Sequence, residues 1–132
     1  KIKKVLEEMR KEPLDHAIKE VFGDIKPLME GIDITLPKHS SNCFRVPINI
    51  KATLDAKRIA LFANPDYYGM SMIAKWIVPE NEIVNYTLTF KLVSYEHAMN
   101  ELKKVKVVIE DRNGMFYLAN AVTRIAYSGP EE

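Results

Sequence analysis

The chain has 132 residues, 47% hydrophobic and 28% charged, the composition of one soluble globular domain rather than of a disordered or membrane-embedded polypeptide. Nineteen Lys and Arg against eighteen Asp and Glu leave a net charge of +1, which gives no electrostatic footprint for nucleic acid or for an anionic membrane surface. A single cysteine, Cys43, excludes an intrachain disulfide and a cysteine-rich metal site.

Along the chain, Ile2, Val5, Leu6 and Met9 recur at helical spacing among charges, which predicts an amphipathic helix of marginal length over 1–12. A second helix is predicted from Pro13, through Leu14, Ala17, Ile18, Val21 and Phe22, to Gly23 as its terminator. His16 beside this stripe reads as half-buried helix surface rather than as a ligand. No leader with a cleavage site follows Lys1, so any targeting segment is expected to have been removed already.

After Gly23 the pattern becomes β. Ile32, Ile34 and Leu36 alternate with Asp33 and Thr35 before Pro37. Phe44, Val46, Ile48 and Ile50 define one face of the next strand, with Arg45, Pro47, Asn49 and Lys51 on the other. Pro47 suggests an edge or a bulge, and the same phase puts Cys43 on the polar face. Arg58 to Ala63 is a short apolar strand closed by the turn Asn64-Pro65-Asp66, after which Tyr67 and Tyr68 cluster. Met70 to Val78, with Trp76, reads as a strand, although its Met and Ala content also permits a helix.

The clearest alternation sets Val84, Tyr86, Leu88, Phe90 and Leu92 against Asn85, Thr87, Thr89 and Lys91. Ser94 to Leu102 is ambiguous between helix and crossover. Val105 to Ile109 and Met115 to Tyr127 then flank Asn113-Gly114, the signature of a type I′ hairpin. Ser128 to Glu132 follow as a short arm expected to be mobile. About seven short strands at regular spacing predict an immunoglobulin-like β-sandwich over 30–127, with a helical extension over 1–23 and a tail over 128–132, in a single domain.

Chemistry is sparse. His16, His39 and His97 are far apart and carry no metal-site spacing. Superoxide reductases, which share an Ig-like fold, have an iron site that resembles four histidines and one cysteine, and three histidines cannot fill it. Pro37 to Arg45 is the one stretch where a thiol, an imidazole, a hydroxyl and a guanidinium lie close in sequence. Arg45 and a protonated His39 would favour the Cys43 thiolate, which makes Cys43 a candidate redox thiol beside the simpler reading of an inert strand-edge cysteine. The pairs Glu7-Glu8, Glu110-Asp111 and Glu131-Glu132 read as solvated surface. No nucleophile elbow, phosphate loop or dinucleotide motif is present, so no catalytic residue, metal or cofactor is expected.

With the strands placed, the chain resembles SoxY, the sulfur-carrier subunit of bacterial thiosulfate oxidation, over roughly residues 14 to 132. The matching stretches are the helix running into Phe22-Gly23, Ile32-Asp33-Ile34-Thr35-Leu36-Pro37, Val46-Pro47-Ile48-Asn49-Ile50, Ile59-Ala60-Leu61-Phe62-Ala63-Asn64-Pro65, and Asp111-Arg112-Asn113-Gly114-Met115-Phe116-Tyr117. The resemblance implies an Ig-like sandwich, a periplasmic location and a heterodimer with a SoxZ-like subunit. In SoxY-like carriers the last strand leads into a Gly-Gly-Cys-Gly-Gly arm whose thiol holds sulfur intermediates.

Carried over by position, Ser128 and Gly129 fall on the two glycines and Pro130 falls where the cysteine should be, with Glu131 and Glu132 after it. Proline offers no thiolate for sulfur conjugation. The expectation is therefore a non-enzymatic SoxY-like subunit that lacks the carrier thiol. A true carrier with an altered or longer arm is the second reading, and an unrelated Ig-like domain that binds a ligand or peptide is the third.

Overall fold

The computed structural model describes residues 13–63, 72–92 and 101–125. The expected helix over 1–12, Tyr67, Tyr68, His97 and the arm with Pro130 lie outside the described residues. Helix α1 spans Pro13–Phe22. It is followed by strands β1 (Ile32–Thr35), β2 (His39–Ser40), β3 (Val46–Ala52), β4 (Ala56–Phe62), β5 (Met72–Ile77), β6 (Val84–Phe90), β7 (Glu101–Asp111) and β8 (Phe116–Ile125).

The strands form two sheets, one of three strands in the order β1-β3-β6 and one of five in the order β2-β8-β7-β4-β5. This is the immunoglobulin-like sandwich that the spacing predicts, with the first extended segment split between the sheets. Leu28 bridges Tyr117 in parallel, β1 crosses to pair with β3, and β2 returns to lie parallel to β8 opposite Arg124 and Ile125. The stretch Met72–Ile77, which left a helix open, is strand β5.

Between the sheets lies the main core, built from Val46, Ile48 and Ile50 of β3, Ile59 and Leu61 of β4, Val105, Val107 and Ile109 of β7, and Val84 and Phe90 of β6. A second core lies on the outside of the larger sheet, where Leu14, Ala17 and Ile18 of α1 cover Ala60, Phe62, Val108 and Leu118. Strand β4 is therefore buried on both faces. This explains why its sequence is a continuous apolar run rather than an alternation.

Helix α1 ends at Gly23, whose φ of +81° suits a left-handed cap and whose N–H bonds the carbonyl of Lys19 at 2.7 Å. Its start is tied to β7 by Asp15 Oδ1 at 3.2 Å from Lys106 Nζ. At its end the Phe22 ring meets Phe62 and Phe116 edge-on and lies under the Arg58 guanidinium, 5.1 Å from its centroid. Arg58 is held in turn by Glu110 Oε1, 2.5 Å from Nε and from Nη2. His16 is half-buried as expected, with Nε2 3.7 Å from Glu20 Oε2 on the helix surface.

Three local expectations change. The β7–β8 hairpin is not a type I′ turn, because only Gly114 has positive φ (84°) and Asn113 does not. Gly114 N–H bonds the Asp111 carbonyl at 3.1 Å and Asp111 N–H bonds that of Met115 at 2.8 Å, the pattern of a type I turn followed by a glycine bulge. The Asp111 carboxylate selects it by accepting the N–H groups of Asn113 and Met115, both at 2.9 Å.

Strand β3, where Pro47 suggested an edge or a bulge, is instead the central strand of its sheet and pairs with β6 without a register shift. Strand β1 reaches only from Ile32 opposite Ala52 to Thr35 opposite Asn49, so Pro47 has a partner strand on one side alone, at Thr89. A residue without an N–H is tolerated there because no second ladder runs past it.

Finally, residues 43 and 44 form a turn ahead of β3 instead of extending it, with Arg45 N–H on the Asn42 carbonyl at 3.2 Å. The alternation is out of phase before Val46. Phe44, expected inside, is 63% exposed, and Cys43, expected on the polar face, packs against the main core.

Candidate functional site

The registers place the end of β8, the start of β7, β2 and the Cys43 turn at one end of the sandwich. Glu101 lies opposite Ile125, Ser40 opposite Ile125, and Leu92 N–H bonds the Cys43 carbonyl at 2.8 Å just beyond β6. This is the end of the sandwich at which β8 reaches Ile125.

Three polar side chains are buried here. Ser40 Oγ and Thr123 Oγ1 share a hydrogen bond of 2.7 Å, and Lys103, directly across from Thr123, is 4% exposed. All three are invisible to motif search. Alternation could have found two of them, since Lys103 is in phase with the inward Val105, Val107 and Ile109, and Thr123 with the inward Ile125.

Cys43 is half-buried at this end. Among the described residues its thiol has no hydrogen bond to His39 or Arg45, both of which are exposed. Adjacency in sequence therefore does not become a thiol–base pair, because the turn aims Cys43 toward the core while β2 carries His39 outward. Phe44 instead lies on the surface under Lys91 Nζ, 5.1 Å from the ring centroid.

Two tyrosines mark other polar contacts. Tyr117 donates to Asp111 Oδ2 at 3.2 Å, and its hydroxyl pKa is raised by desolvation first and by the Asp111 charge second. Tyr86 donates to the Glu82 carboxylate and stands edge-on to Trp76 with centroids 5.4 Å apart; desolvation and then Glu82 raise its pKa. Both support the fold. Among the described residues no group of His, Cys, Asp and Glu could hold a metal, and no helix is long and apolar enough to cross a membrane.

The architecture is an immunoglobulin-like β-sandwich with an N-terminal helix packed on its larger sheet. The sulfur carrier protein SoxY from Chlorobium limicola f thiosulfatophilum superposes on 86% of this chain and 90% of its own, with a TM-score of 0.63 and 23% identity. The SoxY-like fold expected from the motif order is thus the fold observed. A superoxide reductase (neelaredoxin) from Ignicoccus hospitalis shares the fold more distantly, at TM-score 0.56 and 11% identity over 73% of this chain and 80% of its own. No protein-family model matches the sequence, and no curated protein matches it.

Proposed function

We propose that this protein is a non-enzymatic, SoxY-like subunit of a sulfur-oxidation system, working in the periplasm in a heterodimer with a SoxZ-like Ig-fold partner. On this reading Pro130 stands where the carrier cysteine would be, and the subunit contributes a binding surface rather than a sulfur-bearing thiol. The observation that carries it is the structural match to SoxY over nearly the full length of both chains. The order of the shared sequence stretches runs the same way, and β8 ends at Ile125, beside the place where a carrier arm would begin.

The test is co-expression with a SoxZ-like subunit, followed by intact mass measurement after exposure to thiosulfate and the oxidising components of the pathway. A stable heteromer with no sulfur adduct is expected. An adduct would identify a true carrier, with the thiol located by peptide mapping at Cys43 or beyond Glu132. Failure to bind any SoxZ-like subunit would return the protein to the class of Ig-like ligand- or peptide-binding domains.

A further inference from the structure

Among the described residues strand β6 is an unpaired sheet edge. It pairs with β3 through seven uninterrupted positions, from Val84 opposite Ala52 to Phe90 opposite Val46, and its other side has no strand among the described residues. The other edge strands are blunted: β1 has four residues, β2 has two, and β5 has Lys75 and an irregular register at Leu61/Phe62. By contrast, Val-Asn-Tyr-Thr-Leu-Thr-Phe contains no charge, no proline and no bulge. Two of its four inward side chains also remain wet. Tyr86 and Leu88 are only half-buried, whereas the inward Val46, Ile48 and Ile50 of neighbouring β3 are 0–1% exposed.

The open side carries a definite set of backbone groups. Leu92 N–H points to the β3 side, where it bonds Cys43, and Pro47 opposite Thr89 has no N–H to give. Alternation then turns the even residues of β6 toward β3, and the N–H and C=O of Asn85, Thr87 and Thr89 toward the side that has no strand among the described residues.

We propose that β6 pairs antiparallel with β6 of a second copy of this chain, about a two-fold axis at Thr87, joining two three-stranded sheets into one. In that register Thr87 faces Thr87, Asn85 faces Thr89, and Tyr86 faces Leu88. The polar face of one copy continues the polar face of the other, and the half-buried aromatic and aliphatic groups cover each other. Roughly six backbone hydrogen bonds form, two for each facing pair of odd residues. The ends are complementary in charge, because Glu82 at the start of one strand comes beside Lys91 at the end of the other. A two-fold contact of this kind is self-complementary and closes at the dimer. This inference does not rest on the sulfur-oxidation reading.

The test is sedimentation of the purified chain over a concentration series, with Thr87→Lys, Thr87→Glu and Thr35→Lys, all checked for native circular dichroism. A concentration-dependent dimer is expected. Each Thr87 variant alone should weaken it by at least about tenfold, because like charges face across the axis. An equimolar mixture of the lysine and glutamate variants should restore association, and Thr35→Lys, on the same outer face but at β1, should leave it unchanged. A monomer at every concentration overturns the proposal. So does a dimer indifferent to both charges, or an edge that protects its amides from exchange only when a SoxZ-like subunit is bound.

Discussion

Phe22 in the last turn of α1 meets Phe62 of β4 edge-on, with ring centroids 6.4 Å apart and planes at 63°. Phe62 is fully buried, on the outside of the five-stranded sheet rather than between the sheets. The helix is thus a third layer with its own core. Phe62→Ala should cost about 3–5 kcal/mol in urea unfolding, since it leaves a cavity under the whole helix. A cost below about 1 kcal/mol would show that α1 contributes little to stability.

Ser40 and Thr123 form one buried unit, so their substitutions should not add. Thr123→Val alone strands the Ser40 hydroxyl and is expected to cost about 1–3 kcal/mol. The double variant Ser40→Ala, Thr123→Val should cost less than the sum of the two single changes. Additive unfolding energies would show that the 2.7 Å bond contributes nothing of its own.

The β7–β8 hairpin depends on Gly114 for its backbone and on Asp111 for its turn type. Gly114→Ala should cost about 1 kcal/mol from positive φ alone, because an added Cβ meets no atom within 4 Å. Asp111→Ala should cost more, about 1–3 kcal/mol, by leaving the N–H groups of Asn113 and Met115 without their shared acceptor. Thermal unfolding of both variants ranks the two effects.

Stability should fall at alkaline pH through Tyr86 and Tyr117. Both hydroxyls have folded-state pKa values above the ordinary 10.0, so above that pH the unfolded chain loses these protons before the folded one does. The stabilisation is complete below pH 10.0 and is lost as pH rises from there through the raised values. A Tyr86→Phe, Tyr117→Phe variant should show a shallower decline in unfolding free energy over that range. An unchanged slope would locate the alkaline dependence elsewhere.

Cys43 packs against the core from its turn, so its thiol should react with a disulfide reagent at least about tenfold more slowly in the native protein than in urea. Equal rates would place the side chain in solvent.

Much of this architecture was legible in the chain because solvent leaves one face of most strands wet. The nine-position alternation from Val84 to Leu92 marks β6 and the inward residues that follow it, and Gly23 marks the helix end. The turn at Asn113-Gly114 was located but mistyped. Asn-Gly permits positive φ at both positions, whereas the Asp111 carboxylate, two residues upstream, satisfies a different loop. Likewise, the phase of β3 was right from Val46 onward and wrong for Cys43 and Phe44, since no periodicity reports where a turn resets it.

By itself the sequence determined the sandwich, its helix and its Ig-like class, because these follow from local burial patterns spaced along the chain, while the likeness to SoxY lay in the succession of its short sequence stretches. Only the tertiary structure decided which strands became centres and which became edges. That choice made β4 a strand with two buried faces, put Pro47 on a central strand beyond the reach of β1, turned Cys43 away from His39 and Arg45, and made β6 a sheet edge among the described residues. The physical reason is that pairing and layer contacts join residues tens of positions apart, while side-chain periodicity records only that a face is buried and not what buries it.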